Sequence, residues 1–341
     1  MRVLRAIASI LFGAAPALAS PAEKTPMIEQ VDYAGWKTSY HINNGLVELY
    51  ATADIGPRIV DYRPVGGENV FYLRSSELGR SGEQDWVFRG GWRLWIAPEE
   101  RETTYVPDNR ACEASVLEGQ RLLLVGPPQP AAGIQKSVEI SLVPGQPRAL
   151  VVSRLRNIGT KPVTYASWSL SVMRPGGRAF VPLDRGNPTT FSDVRRLILW
   201  SYTKQRDPRY VFGDALVQVD HTKVAAAPAS TTPGRQPDES KIGVDSAQGW
   251  AAYLNGDVLY LKRFSHLAGG QYPDGGSTIE IYSSAEFLEL ENLGTMATLK
   301  PGADVVYAEE WWLHTGVKLD TDEATALQQL QPFLHASTAA R

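Results

Sequence analysis

Between residues 121 and 172 the chain repeats one pattern: RLLLVG, GIQKSVEISLV, ALVVSRLRNIG and PVTYASWSLSVM, each alternating in polarity. Turns such as Val143-Pro144-Gly145-Gln146-Pro147 and Asn157-Ile158-Gly159-Thr160-Lys161-Pro162 separate them. Side chains alternate between the two faces of a strand, so each run has one face to bury. Connections this short can join only antiparallel neighbours, because a parallel crossover needs a dozen residues or more. An even meander of this kind predicts an antiparallel sandwich rather than a βαβ sheet.

The flanks extend the pattern. Strands are expected at residues 46–52, 58–62, 69–72, 197–202, 250–253, 258–264 and 278–283, broken by turns at Gly56-Pro57, Gly66-Gly67 and Tyr272-Pro273-Asp274-Gly275-Gly276. Residues 73–86, 176–195 and 225–240 read as loops, the last a low-complexity stretch within the domain. A helix is expected over about 321–337, with Asp320 as cap, Glu323 as its capping-box partner, and Ala324, Leu327, Leu330 and Leu334 as an apolar stripe. The expectation is therefore a single all-β domain over residues 20–341, with its core at about 46–314 and a C-terminal helix.

Residues 1–19 have a short basic start, an apolar run and Ala17-Leu18-Ala19, the form of a secretory signal peptide. The expected mature protein is periplasmic or secreted, with no membrane insertion after cleavage. Losing Arg2 and Arg5 takes the formal charge from −3 to −5, which argues against nucleic acid as a partner. Cys112 is the only cysteine, so no internal disulfide forms, and the five histidines show no metal-ligand spacing. The absence of G-x-G-x-x-G and P-loop motifs removes dinucleotide and nucleotide readings. No cofactor or metal is expected.

Two places stand out chemically. In the strand within residues 284–293, Phe287, Glu289 and Glu291 share one face while Leu288 and Leu290 take the other. Two carboxylates on one strand face are costly unless that face is wet or binds something. Upstream, Arg89, Trp92, Arg93 and Trp95 surround Gly90-Gly91, where the backbone can approach a ligand closely.

These motifs together resemble the galactose-mutarotase-like superfamily, and within it a group of bacterial domains of unassigned function. The likeness is carried by Gly56-Pro57-Arg58-Ile59-Val60 with Gly66-Gly67, Phe88-Arg89-Gly90-Gly91-Trp92 with Trp95-Ile96-Ala97-Pro98, Tyr272-Pro273-Asp274-Gly275-Gly276, and Leu288-Glu289-Leu290-Glu291 with Leu299-Lys300-Pro301-Gly302. The resemblance implies an antiparallel β-supersandwich and a mono- or oligosaccharide ligand. In that family a glutamate takes the anomeric proton while a histidine protonates the ring oxygen, and Glu291 falls at the glutamate's place. Where the family carries its histidine this chain has Trp168, so the acid has to be another group, such as His266 or Asp274. One reading is therefore a mutarotase- or epimerase-like enzyme, with Glu291 as base, Glu289 as auxiliary carboxylate, and Arg89 and Arg93 positioning the sugar. The other is a non-catalytic binder that stacks sugar on Trp92, Trp168 and Tyr272. A third is a structural protein with a polar contact face. Oligomeric state is left open.

Overall fold

The computed structural model describes residues 25–338 apart from 187, 188, 190, 192 and 225–237. The expected signal peptide and most of the low-complexity stretch lie outside the described residues.

Strands β1 (Met27–Tyr33), β2 (Trp36–Asn43), β3 (Val47–Thr52), β4 (Arg58–Pro64) and β5 (Trp92–Ala97) run in order along one sheet. The meander then builds the second sheet with β6 (Glu113–Leu117), β7 (Arg121–Val125), β8 (Ile134–Leu142) and β9 (Arg148–Asn157). Strand β10 (Val163–Met173) crosses back and pairs with β5. Next come β11 (Arg178–Pro182), β12 (Arg196–Leu199), β13 (Tyr210–Phe212), β14 (Leu216–Asp220), β15 (Ser240–Asp245), β16 (Trp250–Asn255) and β17 (Val258–Phe264). The chain closes with β18 (Ile279–Ser283), β19 (Leu288–Leu293), β20 (Ala297–Leu299) and β21 (Asp304–His314). The first sheet orders its strands β1-β2-β3-β4-β5-β10-β19-β18-β15-β12, with β20 on β10. The second orders them β13-β14-β11-β16-β17-β21-β9-β8-β7-β6. The recorded strand pairs are antiparallel, as the short turns require.

Between the sheets lies a continuous apolar core that includes Leu49, Ile59, Trp92, Leu94, Val138, Val151, Ile281, Leu290 and Trp311. It also holds charge. Lys262 and Glu309, both fully buried, pair at 3.0 Å. Ser169 Oγ donates to Glu309 Oε2 at 2.7 Å and accepts from Trp92 Nε1 at 2.7 Å. A buried pair survives only with its hydrogen bonds satisfied in this way. The motif Ser167-Trp168-Ser169-Leu170 in β10 is thus turned opposite to a simple polarity rule, since its serines face the core.

Several expectations need correction. Two strands, β1 and β2, precede residue 46, and within residues 69–72 Phe71 makes an isolated bridge to Met173 in place of the expected strand. The segment 176–195 contains β11, which pairs with β14 and β16. Helix α1 (Arg101–Thr104) is a single turn, and α2 (Glu323–Thr338) is the expected terminal helix. Its cap is Asp322, which accepts from the Thr325 backbone N–H at 2.9 Å, not Asp320. Glu323 does not close a capping box; it accepts the backbone N–H groups of Ala215 and Leu216 and ties the helix to β14. Ala326 and Leu330 carry the packing against Phe180, Trp250, Leu261 and Trp312, while Ala324 is exposed. Burying a leucine such as Leu330 contributes roughly 1.5–3 kcal/mol. Among the described residues, no helix is long and apolar enough to cross a membrane.

Candidate active site

The middle of the first sheet is buried on both faces, which a sheet covered on one side only would not be. Register explains what the outer face carries. Arg93 of β5 lies opposite Leu170 of β10, which lies opposite Glu291 of β19, which lies opposite Glu280 of β18. The neighbouring row runs Val172, Glu289, Tyr282 and Lys241. Alternation therefore delivers three glutamates, a lysine and an arginine to one surface.

Loops roof that surface and leave a cavity of about 230 Å³. Its lining is aromatic, with Trp86, Phe88, Trp95, Tyr105, Trp168, Tyr202, Tyr282 and Phe287, and its charged groups include Arg93, Glu99, Lys241 and Glu289. One wall is a ring stack, with Phe88 and Phe287 at 4.4 Å and Tyr72 against Phe287 at 5.7 Å. Arg74 locks it by pairing with Glu286 at 2.6 Å. On the floor Trp95 meets Trp168 edge-on at 5.2 Å.

The carboxyls differ in what they touch. Glu291 is 1 % exposed; its Oε2 accepts from Trp168 Nε1 at 2.7 Å and from Lys241 Nζ at 3.2 Å. Lys241 Nζ also lies 2.7 Å from Glu280 and 4.5 Å from the Trp168 ring centre. Glu289 lines the cavity and makes no hydrogen bond to the described residues. Burial first, and the nearby Glu291 second, push its carboxyl up to about 8. Burial also raises Glu291, against the pull of Lys241 and the Trp168 hydrogen bond. Burial works against the Lys241 ammonium, but Glu280 and Glu291 outweigh it and hold Lys241 well above its usual range. At neutral pH the cavity thus contains a neutral carboxylic acid beside a fixed cation.

Of the residues singled out from the sequence, Glu289, Glu291, Trp168 and Arg93 converge here. Arg93 donates Nη2 to the Val87 carbonyl at 3.1 Å and lies under Trp86 and Trp95, at 4.8 and 5.3 Å from their ring centres. Burial, and then Arg58, lower it to about 9. Trp92 points the other way, into the core against Trp311. Arg89 is fully buried and pairs with Glu83 and Asn109, so it holds the loop rather than lining the cavity. His266 and Tyr272 stack at 5.3 Å in a separate groove with Arg196 and Asp245. Asp274, in the turn that follows Tyr272, is half-buried, and burial raises its carboxyl above the usual range. Lys241 and Glu280 were missed from the sequence. Glu280 had a signal, since it alternates with Ile279 and Ile281 inside an expected strand; Lys241 borders the low-complexity stretch and had none.

No protein-family profile and no curated protein sequence matches the chain. Solved structures do. A galactose mutarotase-like protein from Lactobacillus casei aligns over 80 % of this chain and 99 % of its own, with a TM-score of 0.52 at 10 % identity. A galactose mutarotase-like protein from Clostridium acetobutylicum aligns over 85 % and 99 %, with a TM-score of 0.50 at 11 % identity. The fold is galactose mutarotase-like. The Slr1438 protein from Synechocystis sp. shares it, with a TM-score of 0.53 at 12 % identity over 88 % of this chain and 99 % of its own. Identity this low speaks for the mutarotase-like fold alone. Within that fold Trp168 and Glu291 lie on adjacent strands, and among the described residues no histidine lines the cavity.

Proposed function

We propose that this is an enzyme that opens and recloses a sugar ring at its anomeric centre, in the manner of a mutarotase, and, given residues 1–19, an exported one. The observation that carries the reading is Glu289: an unpartnered carboxyl, neutral at pH 7, facing an aromatic cavity of monosaccharide size. Aromatic rings suit the apolar faces of a pyranose, and a group titrating near the working pH suits proton transfer.

Glu289 is put ahead of Glu291 because Glu291 is already engaged by Trp168 and Lys241. A protonated carboxyl can serve both ends of the reaction. Its O–H delivers a proton to the ring oxygen as the C1–O5 bond breaks, and its carbonyl oxygen takes the proton of the anomeric hydroxyl as C1=O forms. The carboxyl emerges with its proton on the other oxygen, and ring closure on either face reverses the transfers. No histidine is needed in this scheme. Lys241 and Glu291 fix the charge beneath the acid.

The test is one-dimensional NMR of freshly dissolved single-anomer sugars, neutral and acidic. Wild type should speed equilibration of at least one sugar, and Glu289→Gln should not. A variant that retains wild-type exchange would remove Glu289 from this role.

A further inference from the structure

Arg93 and the ring that covers it have donors to spare. Arg93 is 2 % exposed and lines the cavity, and its Nη2 is spent on the Val87 and Phe88 carbonyls. Its Nη1 is buried and has no hydrogen-bond partner among the described residues. The Trp86 ring lies over the guanidinium at 4.8 Å, and Trp86 Nε1 is a second buried donor with no partner among them. Both residues belong to the lining of one cavity, so two unanswered N–H donors come from neighbouring side chains.

The charge is unanswered as well. Arg58, Arg89, Arg93 and Lys136 gather around Asp108. Asp108 pairs with Arg58 at 2.8 Å, and Glu83 pairs with Arg89. Glu289 is close enough to act on Arg93 but carries its proton at pH 7, and so brings it no charge. The other cations of the lining are already engaged: Lys241 lies 2.7 Å from Glu280 and 3.2 Å from Glu291, and Arg74 lies 2.6 Å from Glu286. Glu99, the remaining carboxyl of the lining, is exposed and accepts from the Tyr105 hydroxyl. A buried cation with no counter-ion is costly, and a ligand that supplies one removes the cost.

We propose that the substrate is a sugar acid, of which a hexuronate is the simplest, and that its carboxylate accepts from Arg93 Nη1 and Trp86 Nε1. Two donors and one positive charge match the two oxygens of a single carboxylate. A phosphate dianion would leave further oxygens against the aromatic wall. Trp86 is held by a loop, so turning its ring lets the carboxylate reach the guanidinium. The placement also suits the chemistry. Only strand β10 separates Arg93 from the strand of Glu289, and the carboxylate of a hexuronate sits on C5, beside the ring oxygen that Glu289 protonates. Naming the substrate rests on the ring-opening function proposed above; the anion site does not.

Anomer exchange measured by NMR on galacturonate with galactose, glucuronate with glucose, and galactose 6-phosphate tests the proposal, because each set differs only at C6. Wild type should favour at least one uronate over its parent hexose by about 10²-fold or more in kcat/KM, as expected of a site built to hydrogen-bond a group that the hexose lacks. Arg93→Gln and Trp86→Phe should each cut that ratio by about tenfold or more. Both rates come from one preparation, so partial unfolding lowers them alike and leaves the ratio unchanged. Equal rates on acid and hexose, a faster rate on the phosphate, or an unchanged ratio in both variants would overturn the proposal and leave the ring-opening function standing. If wild type exchanges none of these sugars, that function falls and calorimetry decides the anion site. Saturable uronate binding that is lost in a cooperatively melting Arg93→Gln and weakened in Trp86→Phe upholds it; no binding to wild type, or equal binding to all three proteins, removes it.

Discussion

The indole N–H of Trp168 donates to Glu291 across the β10–β19 pair at 2.7 Å, so one aromatic side chain both floors the cavity and holds its buried carboxylate. The ring cannot be judged as packing or as chemistry alone, because it is the donor that fixes where Glu291 points. Trp168→Phe keeps the ring and removes the donor. Glu291 Oε1 already lacks a partner, so the variant should lose about 1.5–3 kcal/mol, the worth of a hydrogen bond to a charged group, in urea unfolding. Unchanged stability would mean that the bond contributes nothing net.

Glu289→Gln should reduce anomer exchange by about 10²–10⁴-fold, the usual contribution of a general acid–base group. Because the protonated form is the active one, wild-type exchange should fall as pH rises through about 8. A rate that rises across that range would contradict an acid role.

The same group makes stability depend on pH. Its folded value of about 8 lies above its ordinary 4.5, so folding favours the protonated form. Its contribution is complete below about 4.5 and is lost as pH rises toward 8, at about 1.4 kcal/mol per pH unit. Glu289→Gln should therefore be more stable relative to wild type at pH 8 than at pH 5. Urea midpoints at the two pH values check this, and an equal difference at both would count against the shift.

Lys262→Met strands Glu309 without its counter-ion between the sheets, at a cost of about 3–5 kcal/mol. Glu309→Gln should cost less, since burial already lowers Lys262 and lets it shed its proton. Thermal unfolding of the two variants would show the order, and the reverse order would sink the argument.

Gly91 has φ +72°, and a Cβ there would stand 2.4 Å from the Ile59 carbonyl oxygen. Gly91→Ala must move the β4 backbone or leave the left-handed region, and should destabilise by about 1–3 kcal/mol. A melting temperature equal to wild type would show that β4 gives way without cost.

The architecture was legible because alternation and short turns are local signals, and the meander of residues 121–172 carries both. Glu289 and Glu291 were legible together for the same reason: period two places them on one face. Arg89, Trp92, Tyr272 and His266 had the right chemistry and the wrong direction. Neighbours decide whether a residue beside a Gly-Gly pair faces the core or the cavity, and Arg89 turns to Glu83 while Trp92 turns to Ser169. Trp168 misleads in the opposite sense, since the serines flanking it take the interior side that polarity would have assigned to the tryptophan. The Asp322 cap was displaced by two residues because Asp320 and Asp322 are both able to cap, and only the tie between Glu323 and β14 selects the start.

Among the described residues, each side chain lining the cavity comes from the first sheet or from loops that adjoin it, yet the strand beneath is bolted to the second sheet through Ser169, Glu309 and Lys262. The second sheet is therefore the foundation of a room it never enters. A change made there, far from the cavity, reaches the floor through polar ties such as the Ser169 hydroxyl.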